Sequence, residues 1–298
     1  MEIINLIIPL FILIFLGYTL KKTNFLPEIF GDYLNKFVYY IALPVMLFLS
    51  TSQSNIKEIE ATYIILAVTI TISITVLLSY IASLNLKKIQ GPFIQASFRS
   101  NMAYLGIPIV ATAFGEEALG IAAIAIFTGV ILNTLLSIFI LNYFQEQKKS
   151  IKIKELFLNP LMISIVTGLI ISYSNINIPI ILANTFELIS RVSLPLILIV
   201  IGYSLSFKEI NKHITADFIS ATIKLTIMPA IAYVILKIMN VDLITLNTIV
   251  LLTAMPTAVV SQTFAKEMKS DSKFAASAVN LSTLLAIISI TAIIKLLS

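Results

Sequence analysis

Apolar runs separated by short polar stretches cover almost the whole chain. The runs near 3–20, 37–53, 61–84, 92–114, 117–144, 160–174, 192–207, 217–239, 244–266 and 273–296 each read as a helix able to cross a hydrocarbon core about 30 Å thick. A loop at Asn175 to Pro179 and the segment up to Arg191 read as a short interfacial turn and helix. The opening stretch, MEIINLIIPLFILIFLGYTLKK, has no basic region ahead of its apolar core and no small-residue cleavage site. It therefore reads as a retained first span and not as a signal peptide.

Composition agrees with this pattern. With 58% hydrophobic residues, 12% charged residues and a mean hydropathy of +1.01, the chain carries too much apolar surface for a soluble core to hide. The expected fold class is an all-α polytopic membrane protein with ten transmembrane helices, multi-pass in a cell membrane of the bacterial inner-membrane kind. The formal net charge of +5 points to no nucleic acid partner, because the cations follow the connectors. Fourteen of the 20 lie on one side: Lys21, Lys22, Lys36, Lys87, Lys88, Lys148, Lys149, Lys152, Lys154, Lys208, Lys212, Lys266, Lys269 and Lys273. Only Lys57, Arg191, Lys237 and Lys295 lie on the other. The asymmetry places both termini outside and the 145–158 connector in the cytoplasm.

The inventory of reactive groups is short. There is no cysteine and a single histidine, His213, which excludes disulfides, thiolate metal sites and cysteine nucleophiles. The 15 carboxylates fall in loops or at span ends, so a midplane Asp or Glu for proton or sodium coupling is not expected. A sodium site of carbonyls and hydroxyls remains open. Without paired intramembrane aspartates or a histidine inside a span to activate a serine, an intramembrane enzyme is disfavoured. No cofactor is implied.

The chain repeats itself. Leu43-Pro44 recurs as Leu194-Pro195, and Lys57-Glu58-Ile59 as Lys208-Glu209-Ile210. Pro108 recurs as Pro256, and the run from Asn133 to Ile138 as that from Ser282 to Ile287. Residues 1–144 and 159–298 then form two five-helix repeats around the connector, and an odd number of spans turns the second upside down, as in secondary transporters.

Within the repeats, Pro108 and Pro256 sit near the middle of the fourth and ninth spans. A proline frees the carbonyl four residues before it, here those of Tyr104 and Leu252. Two discontinuous helices meeting at the bilayer midplane are expected, with freed carbonyls and half-helix N-termini available to a small polar ligand. Asn101, two helical turns ahead of Pro108, projects from the face of the break. It reads either as an interhelical hydrogen bond or as a ligand contact. Asn133 and Asn280, among hydroxyls of the fifth and tenth spans, serve either helix packing or the cavity. Tyr104 is a packing aromatic or a gate. Arg99 and Lys224 are cations inside spans, about 10 Å from the cytoplasmic end. They either snorkel to the lipid interface or lend the vestibule a positive potential that attracts carboxylates.

Asn101-Met-Ala-Tyr-Leu-Gly-Ile-Pro108, followed by Ala113-Phe-Gly-Glu-Glu117, resembles the fourth span of the auxin efflux carrier family, which includes plant PIN-FORMED exporters and bacterial malate or malonate permeases. Ala254-Met-Pro256 with Phe264-Ala-Lys-Glu267, and Asn159-Pro160 opening the sixth span, are similar to the same family. The resemblance implies a crossover fold related to bile-acid symporters, in which broken helices 4 and 9 cross. Helices 1, 2, 6 and 7 would form a scaffold that dimerises, and the others a moving transport domain. The family's substrate-contacting asparagine maps onto Asn101, and Gly106 belongs to the same motif. The position seven before Pro256 is Ile249, so the second half departs from that symmetry and offers Thr257, Ser261 and Gln262 after its break. The function implied is a permease or efflux carrier for small organic anions such as dicarboxylates or auxin-like carboxylates. The alternative is a membrane sensor or assembly protein without transport.

The charge asymmetry sets a first test. A single cysteine introduced as Ser150→Cys is expected to resist an impermeant thiol reagent added to intact cells, and to react once the cytoplasmic face is opened. Labelling from outside would reverse the orientation.

Overall fold

The computed structural model describes residues 2–53, 61–144, 159–205 and 213–297. The Lys57-Glu58-Ile59 repeat, its copy at Lys208-Glu209-Ile210 and the 145–158 connector lie outside them. Among the described residues the protein is helical, and the apolar segments fall largely on helix. In chain order these are α1 (Glu2–Lys22), α2 (Glu28–Phe37), α3 (Leu43–Gln53), α4 (Ala61–Ala82), α5 (Gln90–Phe98), α6 (Ile107–Phe114) and α7 (Glu117–Tyr143). They continue as α8 (Pro160–Tyr173), α9 (Ile180–Ser204), α10 (Ile214–Thr222), α11 (Met228–Met239), α12 (Leu243–Thr253), α13 (Val260–Glu267) and α14 (Ser272–Leu297). Among the described residues, six helical stretches are long and apolar enough to cross a membrane: Ile29–Gln53, Ala61–Ala82, Glu117–Tyr143, Ile180–Ser204, Ile214–Met239 and Ser272–Leu297.

Local chemistry accounts for the ends. Asn159 caps α8 by accepting the amide of Leu161 at 2.9 Å, with Pro160 in the first turn, where its missing N–H costs nothing. Asp242 does the same for α12 through Thr245 at 2.8 Å. Asn240 closes α11 in the left-handed conformation (φ 52°), which asparagine tolerates better than most residues.

Three prolines inside the apolar stretches are absorbed by π-turns. Val38–Ala42, Met102–Gly106 and Ile223–Ile227 are each followed by one residue and then by Pro44, Pro108 or Pro229. A π-turn bonds each carbonyl to the amide five residues on. It therefore skips the donor that proline lacks, as the Leu43 amide does on Val38 C=O and the Met228 amide on Ile223 C=O. One sequence expectation is corrected here: no separate interfacial helix precedes 192. α9 runs unbroken from Ile180 through Pro195. It contains no terminating glycine between 180 and 201, and Glu187 pairs with Arg191 one turn on at 2.6 Å.

The helices gather into two compact units interleaved in sequence. The first comprises Met1–Ile64, Ala103–Phe127 and Ile153–Leu205, and so holds segments one, two, six and seven together with 103–127. Its closest packing is between α1 and α9, where Gly17 lies against the Ile199 carbonyl and Gly202 against the Ile14 carbonyl, with no room for a Cβ on either. Gly168 of α8 similarly lies on Thr51 of α3. Ser193 donates to Ala42 C=O at 2.9 Å, joining the chain just ahead of the two Leu-Pro copies. The second unit comprises Ile65–Met102, Thr128–Lys152 and Ser206–Ser298. At its centre lies α5, all nine residues of which are buried.

Small residues allow such close approach because packing and not hydrophobic sequestration holds helices together in lipid. Gly202→Val is expected to force α1 and α9 apart and to destabilise the protein by about 1–3 kcal/mol. Gly91→Ala, where an added methyl meets only ordinary contacts from 3.5 Å, should be neutral. Thermal melting of the two variants in detergent checks this, and equal melting would remove the glycine contact as a determinant.

Candidate functional site

The site is built where two helices of the second unit stop inside the apolar interior. α5 ends at Phe98, and Arg99 turns extended (φ −78°, ψ 91°). α12 ends at Thr253, and helix resumes only at Val260. The two interrupted strands of backbone run antiparallel through a bridge between Ser100 and Thr257. The Asn101 amide donates to Pro256 C=O at 2.8 Å, and the Ala258 amide to Arg99 C=O at 2.9 Å. In such a pair the residue before the bridge offers its carbonyl inward and the one after offers its amide. Proline therefore fits at 256, because only its carbonyl is required there.

Side chains satisfy the remaining groups. The Thr257 hydroxyl donates to Ala96 C=O at 2.8 Å, and the Thr257 amide donates to Ser282 Oγ at 3.1 Å. Thr253 C=O, at the end of α12, accepts from Ser100 Oγ at 3.2 Å and from Lys224 Nζ at 2.5 Å. Arg99 donates from Nη1 to Asn133 C=O at 3.0 Å and to Ser137 Oγ at 2.8 Å, with its guanidinium 4.3 Å from the Phe264 ring centroid. Arg99 is 8% exposed and Lys224 is 0% exposed. Neither side chain snorkels, because backbone and hydroxyl acceptors inside the unit hold both heads.

These facts correct the position of the first break. The helix opens at 99–101, two turns before Pro108, which instead sits second in α6 behind a π-turn. Nor is Leu252 C=O stranded, since the Met255 amide reaches it at 3.4 Å. The carbonyl that draws side-chain donors is that of Thr253. Ile249, seven before Pro256, is buried within α12, and the Asn101 amide bonds Pro256 C=O.

The second unit brings together Arg99, Asn101, Asn133, Lys224, Pro256, Thr257, Ser261, Gln262 and Asn280. Asn101 is 6% exposed, and its backbone amide is engaged by Pro256 C=O. Asn133 Oδ1 and Ser261 Oγ are buried without a hydrogen-bond partner. Asn280 is buried, whereas Gln262 is exposed. Tyr104, Gly106 and Pro108 belong to the first unit, where the Tyr104 hydroxyl donates to Asn35 Oδ1 at 3.1 Å.

Two groups escaped sequence reading. Gln95, one turn before Arg99, is fully buried with neither amide atom bonded. Its place in an apolar helix one turn ahead of a cation was the available signal. Asp217, counted with the span ends, is fully buried in the first turn of α10. Its Oδ2 accepts from Ser277 Oγ at 2.6 Å, and its Oδ1 has no partner.

The family model described as membrane transport protein matches residues 2–294. Over 289 residues the chain is 25% identical to an uncharacterized transporter of Methanocaldococcus jannaschii, covering 94% of each. It is 27% identical to an uncharacterized transporter of Methanothermobacter thermautotrophicus, covering 95% of each. It is also 24% identical to a Rhizobium meliloti protein named "Putative malonate transporter", over 99% of this chain and 96% of the relative. With the match running nearly end to end, the chain belongs to the membrane transport protein family of the auxin efflux carriers.

Proposed function

We propose that the protein is a secondary transporter of small organic anions, working by alternating access around the crossing of 99–101 with 254–259. In this reading the chain crosses the membrane ten times as two inverted five-helix repeats, with both termini outside, and pairs into a homodimer through segments one, two, six and seven. The observation that carries the proposal is the buried Ser261 hydroxyl and Asn133 Oδ1, both without a hydrogen-bond partner in the unit that holds the interrupted backbone and the nine-tenths buried Asn101. A buried hydroxyl left unpaired costs about 1–3 kcal/mol, and a substrate carboxylate accepting from Ser261 Oγ, with Asn101 Nδ2 as a second donor, removes that cost.

Charge supports an anionic ligand. Arg99 and Lys224 bring cations to the broken segments, and α13 begins just after the crossing, with its first amides and the positive end of its dipole there. No carboxylate forms an ion pair with Lys224 among the described residues. The name of the Rhizobium meliloti relative makes malonate the first substrate to try.

The test is uptake of labelled malonate, malate and an aromatic carboxylate into proteoliposomes, with and without an imposed voltage. Asn101→Ala is expected to weaken apparent affinity by about 1–3 kcal/mol while melting changes little. Wild-type affinity in the folded variant would reduce Asn101 to a structural residue. Failure of the wild type to move any organic anion would favour a sensor or assembly role.

A further inference from the structure

Lys224 stands apart from every other lysine described. It lies on the inward face of its stretch, in helical register with Asp217, Ser220 and Met228, and is fully buried. The Lys224 side chain meets no carboxylate among the described residues. Nζ donates to Thr253 C=O at 2.5 Å and to Met228 Sδ at 3.4 Å. Burying an ammonium without a counter-charge is costly unless something offsets it. Here the offset is visible. α12 terminates at Thr253, whose carbonyl takes side-chain donors at the negative end of the helix dipole, and Ser100 Oγ turns to the same carbonyl. A carbonyl pole inside an apolar interior, flanked by a hydroxyl and a thioether, is a place for a monovalent cation.

We infer that the Lys224 head group is a tethered resident of a monovalent-cation site at the C-terminal end of α12, occupying the position a diffusible sodium, lithium or ammonium ion would otherwise fill. The occupied pole holds the break together without an ion from solution. Where transport is concerned, resting on the function proposed above, substrate movement then needs no sodium. The Ile223–Ile227 π-turn belongs to this device. It begins one residue before Lys224 and lets the chain accommodate Pro229 while the lysine stays on the inward face.

The test removes the tether and offers free ions. Wild type, Lys224→Ala and Lys224→Met are melted in detergent at constant ionic strength in choline, sodium, lithium and ammonium chloride. Wild type is expected to melt alike in all four. Lys224→Ala should melt lower in choline, by on the order of 5 °C, and recover in a saturable way with at least one small cation. Lys224→Met fills the space without charge or room for an ion, so it should melt low in every salt. The inference is overturned if Lys224→Ala is indifferent to the cation, if wild type is itself saturably stabilised by sodium or lithium, or if Lys224→Met matches wild type. Should Lys224→Ala not be recovered folded, Lys224→Met decides alone. In vesicles, wild-type uptake should be equal in sodium and choline, and that of Lys224→Ala should depend on the small cation. Absence of any wild-type uptake overturns the transport proposal and leaves the melting comparison to judge the cation site.

Discussion

A backbone that leaves helical geometry inside an apolar interior must find a partner for every amide and carbonyl it frees. At 99–101 and 254–259 that requirement is met by the chain itself, through an antiparallel bridge of two hydrogen bonds around Ser100 and Thr257. Each unpaired group would cost several kcal/mol where water is excluded, so neither break is stable without the other. The surrounding chemistry of the second unit follows from this. Ser282 and Ala96 serve Thr257, Ser100 and Lys224 serve Thr253, and Arg99 is drawn inward to Asn133 and Ser137.

The same accounting explains the prolines. An apolar helix has no water to repair a lost hydrogen bond, yet Pro44, Pro108 and Pro229 sit within helical stretches. Each lies just beyond a π-turn, whose longer bond passes over the missing donor. In the first unit the demand is on volume. Gly17 and Gly202 let α1 and α9 touch backbone to backbone, which gives dispersion contacts where the lipid removes the hydrophobic incentive to associate.

The proposed function rests on what the bridge leaves over. Once the backbone is satisfied, the Ser261 hydroxyl and Asn133 Oδ1 remain buried without hydrogen-bond partners. In the proposed function, a crossing that holds its own peptide groups yet keeps side-chain hydrogen-bonding capacity suits a small anion that binds and leaves. Membership of a membrane transport family over residues 2–294 agrees with that use.

Much of this was legible in the sequence. Apolar runs of span length fixed the helices, because a membrane interior admits little else, and the Asn101 to Pro108 motif identified the family. The prolines announced interruption but not its place. Proline penalises one hydrogen bond, and a π-turn can absorb that locally, so the break moved to 99–101, where the α12 end supplies a partner for the open backbone. Position in a span likewise did not reveal where Arg99, Lys224 and Asp217 would point. Snorkelling and burial are equally compatible with a long side chain near a helix end. Only the packed unit, by presenting Thr253 C=O, Asn133 C=O and Ser277 Oγ within hydrogen-bond reach, decided for burial.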